Sequence, residues 1–379
     1  MGMRASSLFD HTGDQLRRLC DVIGVQDTDT PVSILRDILG PAGARSLAEP
    51  PLWPSDVSDD HTPIEFSLAL DNANSPALRL LAEIVSDQPG NAANLRAART
   101  LLDSLAARFS LSLGGLDRIH DLFLNPDHDA VFSLWYSLIF RAGTAPDTKV
   151  YFSPDARGRQ RAPELVAEAL RRLDLAGAYR TVVEHAVRPG QLGDQDQFAF
   201  FALDLHDRPQ SRAKVYLAHQ HAHAADMMRA AQAVDGVEVE QLREFCELVG
   251  GTTDRFAGRP LVSSYTFVEG DTDRPSGYSL YLPIRDYVTD DEQALSRVSA
   301  LLSRYGIDPT VINDGIAAVA RRPLRAGVGL IAHVSLRLGR GTPGVTVYLS
   351  SEAYSGPAGG PATSEVDQTH SGQTLDPVQ

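Results

Sequence analysis

The feature that most restricts how this chain can fold is a four-residue pattern that returns in the same phase. Lys149-Val150-Tyr151-Phe152, Lys214-Val215-Tyr216-Leu217, Ser279-Leu280-Tyr281-Leu282 and Thr346-Val347-Tyr348-Leu349 place their tyrosines 65, 65 and 67 residues apart. A weaker copy, Arg79-Leu80-Leu81-Ala82, begins 70 residues before the Lys149 copy and keeps the leading polar residue without the aromatic. Self-similarity at a fixed period means one supersecondary unit used repeatedly. Five units then span about residues 10–354 as a single domain, although a length of 379 residues alone would permit two or three.

Each copy reads as the second strand of a hairpin, because an apolar or alternating run precedes it across a turn rich in Gly, Pro, Asn or Asp. The pairs are 65–70 with 77–84, 131–141 with 148–153, 198–205 with 212–218, 261–268 with 278–284, and 328–338 with 345–350. Helical periodicity fills the intervals at 92–109, 162–177, 237–251, 290–306 and 308–322. The first helix pair comes from 13–24 and 30–40, with Thr30 as N-cap and Pro31 as first helical residue. The unit is helix, helix, strand, strand, giving ten antiparallel strands in an α+β fold. Residues 355–379 are poor in large apolar side chains and read as a disordered tail.

Successive strand residues face opposite sides. In every copy the leading polar residue and the tyrosine share one face, and two apolar residues share the other. The apolar set suits the stripes of the helices, so helices belong outside a closed barrel and polar residues inside it. Ten strands leave a lumen wider than that of an eight-stranded barrel.

Arg79, Lys149, Arg212 and Lys214 would then form a cationic layer, with Tyr151, Tyr216, Tyr281 and Tyr348 one pleat, about 7 Å, further along. Buried cations in a chain of net charge -14 call for an anion, and a diphosphate suits guanidinium and ammonium donors. The adjacent π faces attract a cation and exclude water. Together they describe a site that ionises an allylic diphosphate and shields the resulting carbocation. Glu65 opens the first strand, where a lumen-facing carboxylate can accept the N–H of an indole; a solvated strand end is the other reading.

On the segments DDHTPIEFSLA, LRLLAE, KVYFSP, RAKVYL, PSGYSLYLPIRDYV and VTVYLSSEAY, the chain resembles the dimethylallyltryptophan synthase family of indole prenyltransferases, in its bacterial branch, with the ABBA or prenyltransferase barrel. The resemblance implies that Glu65 anchors the indole N–H. It implies also that Arg79, Lys149, Arg212 and Lys214 hold the diphosphate, that the four tyrosines shield the cation, and that no metal or other cofactor is needed. Ser279 and Thr346 depart from the family's stronger phosphate ligands. The implied substrates are dimethylallyl diphosphate and tryptophan or a related indole. A tyrosine, a phenol or an indole-containing peptide is an alternative acceptor, and geranyl diphosphate an alternative donor. A barrel that carries a hydrophobic or anionic ligand without chemistry is the non-enzymatic alternative. His333, on a barrel strand, is a candidate for the base that removes the ring proton.

The acidic balance, with a pI near 5.2, disfavours nucleic acid and membrane surfaces as partners. No apolar run reaches spanning length and the start lacks a hydrophobic signal core, so a cytoplasmic monomer or homodimer is expected. Cys20 and Cys246 read as buried apolar residues rather than a disulfide. Ser58-Asp59-Asp60-His61 reads as a loop or capping segment, and His219, His221 and His223 as a surface hairpin end rather than a zinc site. Gly114-Gly115 does not match a nucleotide-binding loop.

Overall fold

The computed structural model describes residues 6–125, 130–208 and 211–354, so the expected tail at 355–379 lies outside the described residues. In chain order the elements are α1 (Leu8–Val22), α2 (Asp29–Gly43), β1 (Ile64–Leu70), β2 (Ala77–Glu83), α3 (Asn91–Phe109), α4 (Gly114–Phe123), β3 (Trp135–Phe140), β4 (Asp147–Phe152), α5 (Ala162–Arg172), α6 (Tyr179–Ala186), β5 (Asp196–Asp204) and β6 (Ala213–His219). There follow β7 (Ala222–His223), α7 (Ala224–Ala231), α8 (Val239–Gly250), β8 (Arg255–Phe256), β9 (Leu261–Phe267), β10 (Gly277–Leu282), α9 (Asp291–Arg304), α10 (Thr310–Val319), β11 (Ile331–Gly339) and β12 (Gly344–Leu349). Ten of the strands form one closed antiparallel barrel in the order β1-β12-β11-β10-β9-β6-β5-β4-β3-β2, and β7 with β8 makes a separate two-stranded ribbon. Two α-helices precede each hairpin of the barrel.

The two faces of each strand separate as their residue types require. Val150, Phe152, Val215, Leu217, Leu280, Leu282, Val347 and Leu349 are all fully buried, in one core with helix residues such as Leu101, Leu170 and Val298. Each such side chain contributes about 1.5 to 3 kcal/mol by leaving water, which fixes the register and turns the opposite, polar face to the lumen. Cys20 and Cys246 are free thiols inside this core, with burial pushing both pKa values up to about 12.

Several boundaries differ from those expected. The second helix starts at Asp29, because Asp27 accepts from the backbone N–H of Asp29 (3.1 Å) and Thr30 (3.2 Å) and from the Thr30 hydroxyl (2.6 Å). Thr30 is therefore inside the first turn rather than its cap, and Pro31 is tolerated there because first-turn N–H groups have no helical acceptor. The third strand begins at Trp135 and not at Val131, which is 60% exposed. Between Phe198 and Phe200 a β-bulge shifts the register, so Phe198 lies opposite the outward Leu217 whereas Phe200 lies opposite the inward Tyr216. One extra residue thus reverses the face of half a strand.

Candidate active site

The lumen holds a cavity of about 530 Å³ that opens at the end carrying the hairpin turns. Arg79, Lys149, Arg212 and Lys214 all line it, as the strand pattern requires. Arg79 lies on β2, Lys149 on β4 and Lys214 on β6, with Arg212 just before β6, so the cations occupy alternate strands; Lys149 stands between Ser137 of β3 and Asp204 of β5. Three further basic residues join them: Arg141, Arg208 and Arg337. Arg337 stands opposite Ser279 on the adjacent strand, and puts a guanidinium where the fourth copy of the pattern has only a hydroxyl.

Three carboxylates hold five of these cations in place. Asp204 lies 3.2 Å from Lys149 Nζ and accepts from Arg212 Nε at 2.6 Å. Asp147 pairs with Arg141 at 3.0 Å and with Arg208, and Asp71 accepts from Arg337 at 2.9 Å. Seven basic groups against three acidic ones leave an excess of positive charge. Arg79 Nε is buried without a hydrogen-bond partner among the described residues. Burial pushes the Lys149 pKa down to about 8, against the pull of Asp204. Lys214 is held well below its ordinary value by burial and by the charges of Lys149, Arg212 and Arg79. A cation layer that suppresses its own charge is one that an anion would restore.

Beyond the cations the tyrosines form a continuous arc. Ring centroids are 5.8 Å apart for Tyr151 and Tyr216, and 5.9 Å for both Tyr216 with Tyr281 and Tyr281 with Tyr348. Burial raises the phenol of Tyr151 to about 12 and holds those of Tyr216 and Tyr348 well above the ordinary value, so these three rings stay neutral. Phe200 meets Tyr151 and Tyr216 edge-on at 6.3 and 5.8 Å, and packs beside Trp135 and Phe132. The bulge brings Phe200 into this cage, and no periodicity announces it.

Glu65 sits at the far end of the lumen from the cations, 7% exposed. Burial drives its carboxyl up to about 8, against the opposing pull of Arg285, while Asp59 adds to the rise. Arg285 accompanies it, donating to the Ala332 carbonyl at 2.9 Å and to Asp59 at 2.9 Å, with Nη1 3.0 Å from His333 Nδ1. His333 packs edge-on against Tyr348 at 6.2 Å. As a proton acceptor His333 is poorly placed, since burial and the charges of Arg285 and Arg259 hold its pKa well below 6.5, and the Nδ1 lone pair faces a guanidinium. A second buried carboxyl, Glu83, is pushed up to about 7 by burial and receives the Ser55 hydroxyl at 2.6 Å.

The segment before β1 does more than cap. Asp60 accepts from the Thr62 N–H at 3.0 Å, whereas Asp59 bridges Arg285 and Arg259. The histidine run also divides: His221 and His223 are exposed, but His219 is fully buried, 2.8 Å from Asp196, which also binds Arg188. The surface reading of His219 is thus corrected by a buried cross-strand hydrogen bond to Asp196. Gly114 and Gly115 open α4. Among the described residues there is no group of three His, Cys, Asp or Glu arranged to hold a metal, and no helix long and apolar enough to cross a membrane.

A closed ten-stranded barrel inside a helical layer, with cations at one end of its lumen and an aromatic cage beyond, defines an ABBA-type aromatic prenyltransferase. The sequence pattern of the tryptophan dimethylallyltransferase family matches residues 32–312, and the chain belongs to that family. The crystal structure of 6-dimethylallyltryptophan synthase from Micromonospora olivasterospora in complex with DMASPP and Trp is 54% identical, covers 94% of this chain and 100% of its own, and superposes with a TM-score of 0.90. For 5-dimethylallyltryptophan synthase from Streptomyces coelicolor the identity is 37%, the coverage 93% and 99%, and the TM-score 0.85. The 4-O-dimethylallyl-L-tyrosine synthase of Claviceps purpurea (strain 20.1) is 24% identical over 340 residues, 79% of this chain and 76% of that protein. Family membership makes the protein an enzyme, and the carrier reading falls away.

Proposed function

We propose that the protein transfers a dimethylallyl group from its diphosphate to the indole ring of tryptophan, without a metal ion, and that residues 1–354 act as one cytoplasmic catalytic domain. The observation that carries this reading is the polarity of the lumen: a cation-rich layer at the open end, four tyrosines in between, and buried Glu65 beyond them. The bond between donor C1 and oxygen breaks, and its electron pair leaves with a diphosphate held by Arg79, Lys149, Arg212 and Lys214. Tyr151, Tyr216, Tyr281 and Tyr348 stabilise the allylic cation through their π faces and keep water from capturing it. A ring carbon of the indole, with its N–H on Glu65, forms the new bond and afterwards loses its proton. The 54% identity to a 6-dimethylallyltryptophan synthase favours carbon 6 as the position alkylated.

Incubation with L-tryptophan and dimethylallyl diphosphate should give a product larger by one C5H8 unit, with proton NMR placing the substituent on carbon 6. Prenylation of tyrosine in preference to tryptophan would overturn the acceptor assignment. Because the basic layer itself neutralises the leaving group, activity should persist in excess EDTA. Loss on chelation, with recovery on adding Mg²⁺, would show that the cations do not suffice.

Donor binding should also take up protons. Lys149 and Lys214 carry lowered pKa values in the empty lumen, and a bound diphosphate favours their charged forms. At pH 8, titration calorimetry in two buffers of different ionisation enthalpy should report net proton uptake. Donor affinity should then fall as pH rises above about 8, where Lys149 loses its proton. A buffer-independent heat would mean that both lysines are already charged.

A further inference from the structure

We propose that Arg285 and Asp59 form a clamp for the α-carboxylate and α-ammonium groups of a free amino-acid acceptor, so that the enzyme selects zwitterions over indoles lacking either group. The inference rests on the tryptophan reading above and adds to it the residues that recognise the amino-acid head.

Arg285 is fixed on one side. Its Nη1 is engaged by the Ala332 carbonyl and by His333, whose ring packs on Tyr348 of the cage. The opposite edge of the guanidinium faces a carboxylate that fills it only in part: Nη2 donates to one oxygen of Asp59 at 2.9 Å, whereas Nε, 2.6 Å from the other oxygen, is buried without a hydrogen-bond partner among the described residues. An arginine receives a carboxylate through two parallel N–H donors, and here the Nε donor of that fork is left for a second carboxylate. The Arg285 side chain is only 8% exposed, whereas Asp59 is 49% exposed, on the segment leading into β1, and is shared with Arg259 at 3.1 Å. Asp286 in turn pairs with Arg259, so the guanidiniums and carboxylates of the cluster balance. A balanced pair can accept both ends of a zwitterion without leaving a net buried charge. It also stands within electrostatic reach of Glu65, whose ionisation both members influence. An indole whose N–H is on Glu65 therefore has its side chain beside an anion receptor and a cation receptor together.

Steady-state kcat/KM separates this role from simple fastening of the loop. The acceptors are L-tryptophan, tryptamine, which lacks the carboxylate, and indole-3-propionate, which lacks the ammonium. Wild type should favour tryptophan over each analogue by roughly a hundredfold, because a buried group built for a polar partner is left unpaired without it. Arg285→Lys keeps the charge near Glu65 but loses the fork, and should lower kcat/KM for tryptophan and indole-3-propionate by about thirtyfold while tryptamine changes by less than about threefold. Asp59→Asn should do the converse, sparing indole-3-propionate. Equal losses on all three acceptors, or no loss on tryptophan, would overturn the clamp and assign the pair to holding the loop. A wild-type enzyme that prenylates the three equally well would also overturn it. Wild type inactive on tryptophan but active on a phenol would instead remove the acceptor reading on which the clamp stands.

Discussion

Glu65→Gln is expected to lower turnover on tryptophan on the order of a hundredfold or more, while donor affinity changes by less than about twofold. Glutamine keeps the size and an acceptor oxygen for the indole N–H. It cannot offer the negative charge that stabilises the cationic ring as the new bond forms, and such a preorganised partner is worth about 3 to 4 kcal/mol in a dry site. Because burial raises the wild-type carboxyl to about 8, the charged form grows as pH climbs towards that value. Wild-type turnover should climb with it, and the glutamine variant should lack this rise. The same shift supplies a folding control. A carboxyl whose folded pKa exceeds its unfolded value contributes stability below the unfolded pKa and loses it as pH rises through the folded one. At pH 8 the variant should therefore melt no lower than wild type. Near-normal turnover in the variant would leave Glu65 without its assigned role.

Lys149→Ala should weaken donor kcat/KM by roughly a hundredfold, towards the upper end of what a charge-assisted hydrogen bond accounts for. Two effects combine: an ammonium is lost from the anion, and Asp204 loses a counter-ion 3.2 Å away and turns its charge on the diphosphate. Adding Asp204→Asn to Lys149→Ala should recover about tenfold, since the amide still accepts from Arg212 Nε but no longer repels the anion. The coupling is the informative quantity. If the double variant is as poor as the single one, Asp204 does not face the donor. If tryptophan binding suffers instead of donor binding, the polarity of the lumen has been read backwards.

The recurring pattern carried the strands, their inward faces and the seven inward basic and tyrosine side chains of its copies, because period 2 and a fixed repeat length are local properties. What it left out lies on the first strand of each hairpin or beyond the strand ends. Asp204 and Arg337 belong to β5 and β11, and their relation to Lys149 and Ser279 exists only through pairing across the sheet. Arg285 and Asp59 are far apart in sequence and meet in a loop ion pair. Phe200 was hidden by the bulge, which breaks the alternation from which its face would be read. His219 looked like one of three equivalent histidines until Asp196, on the neighbouring strand, gave it a buried partner. The N-terminal boundary of α2 was displaced by Asp27, whose competing cap a Thr-Pro signature does not reveal.

The barrel closes where β1 pairs with β12, with Phe66 opposite Leu349 and Leu70 opposite Val345. The first and last strands of the barrel are therefore neighbours, and no lumen exists until β12 has emerged from the ribosome. Loop closure over such a separation is entropically costly and slows the acquisition of native topology. Until that last strand docks, the exposed edges of β1 and β11 have unpaired backbone groups and are open to association with other chains. Loss of β12 would remove few residues from the inner wall, Gly344, Thr346 and Tyr348 among them, yet it would turn the enclosed reaction chamber into an open sheet flooded by solvent. Maturation of the catalyst is thus tied to completion of its C-terminal hairpin, and helper proteins that shield nascent sheet edges should raise the yield of active enzyme more than its activity per folded molecule.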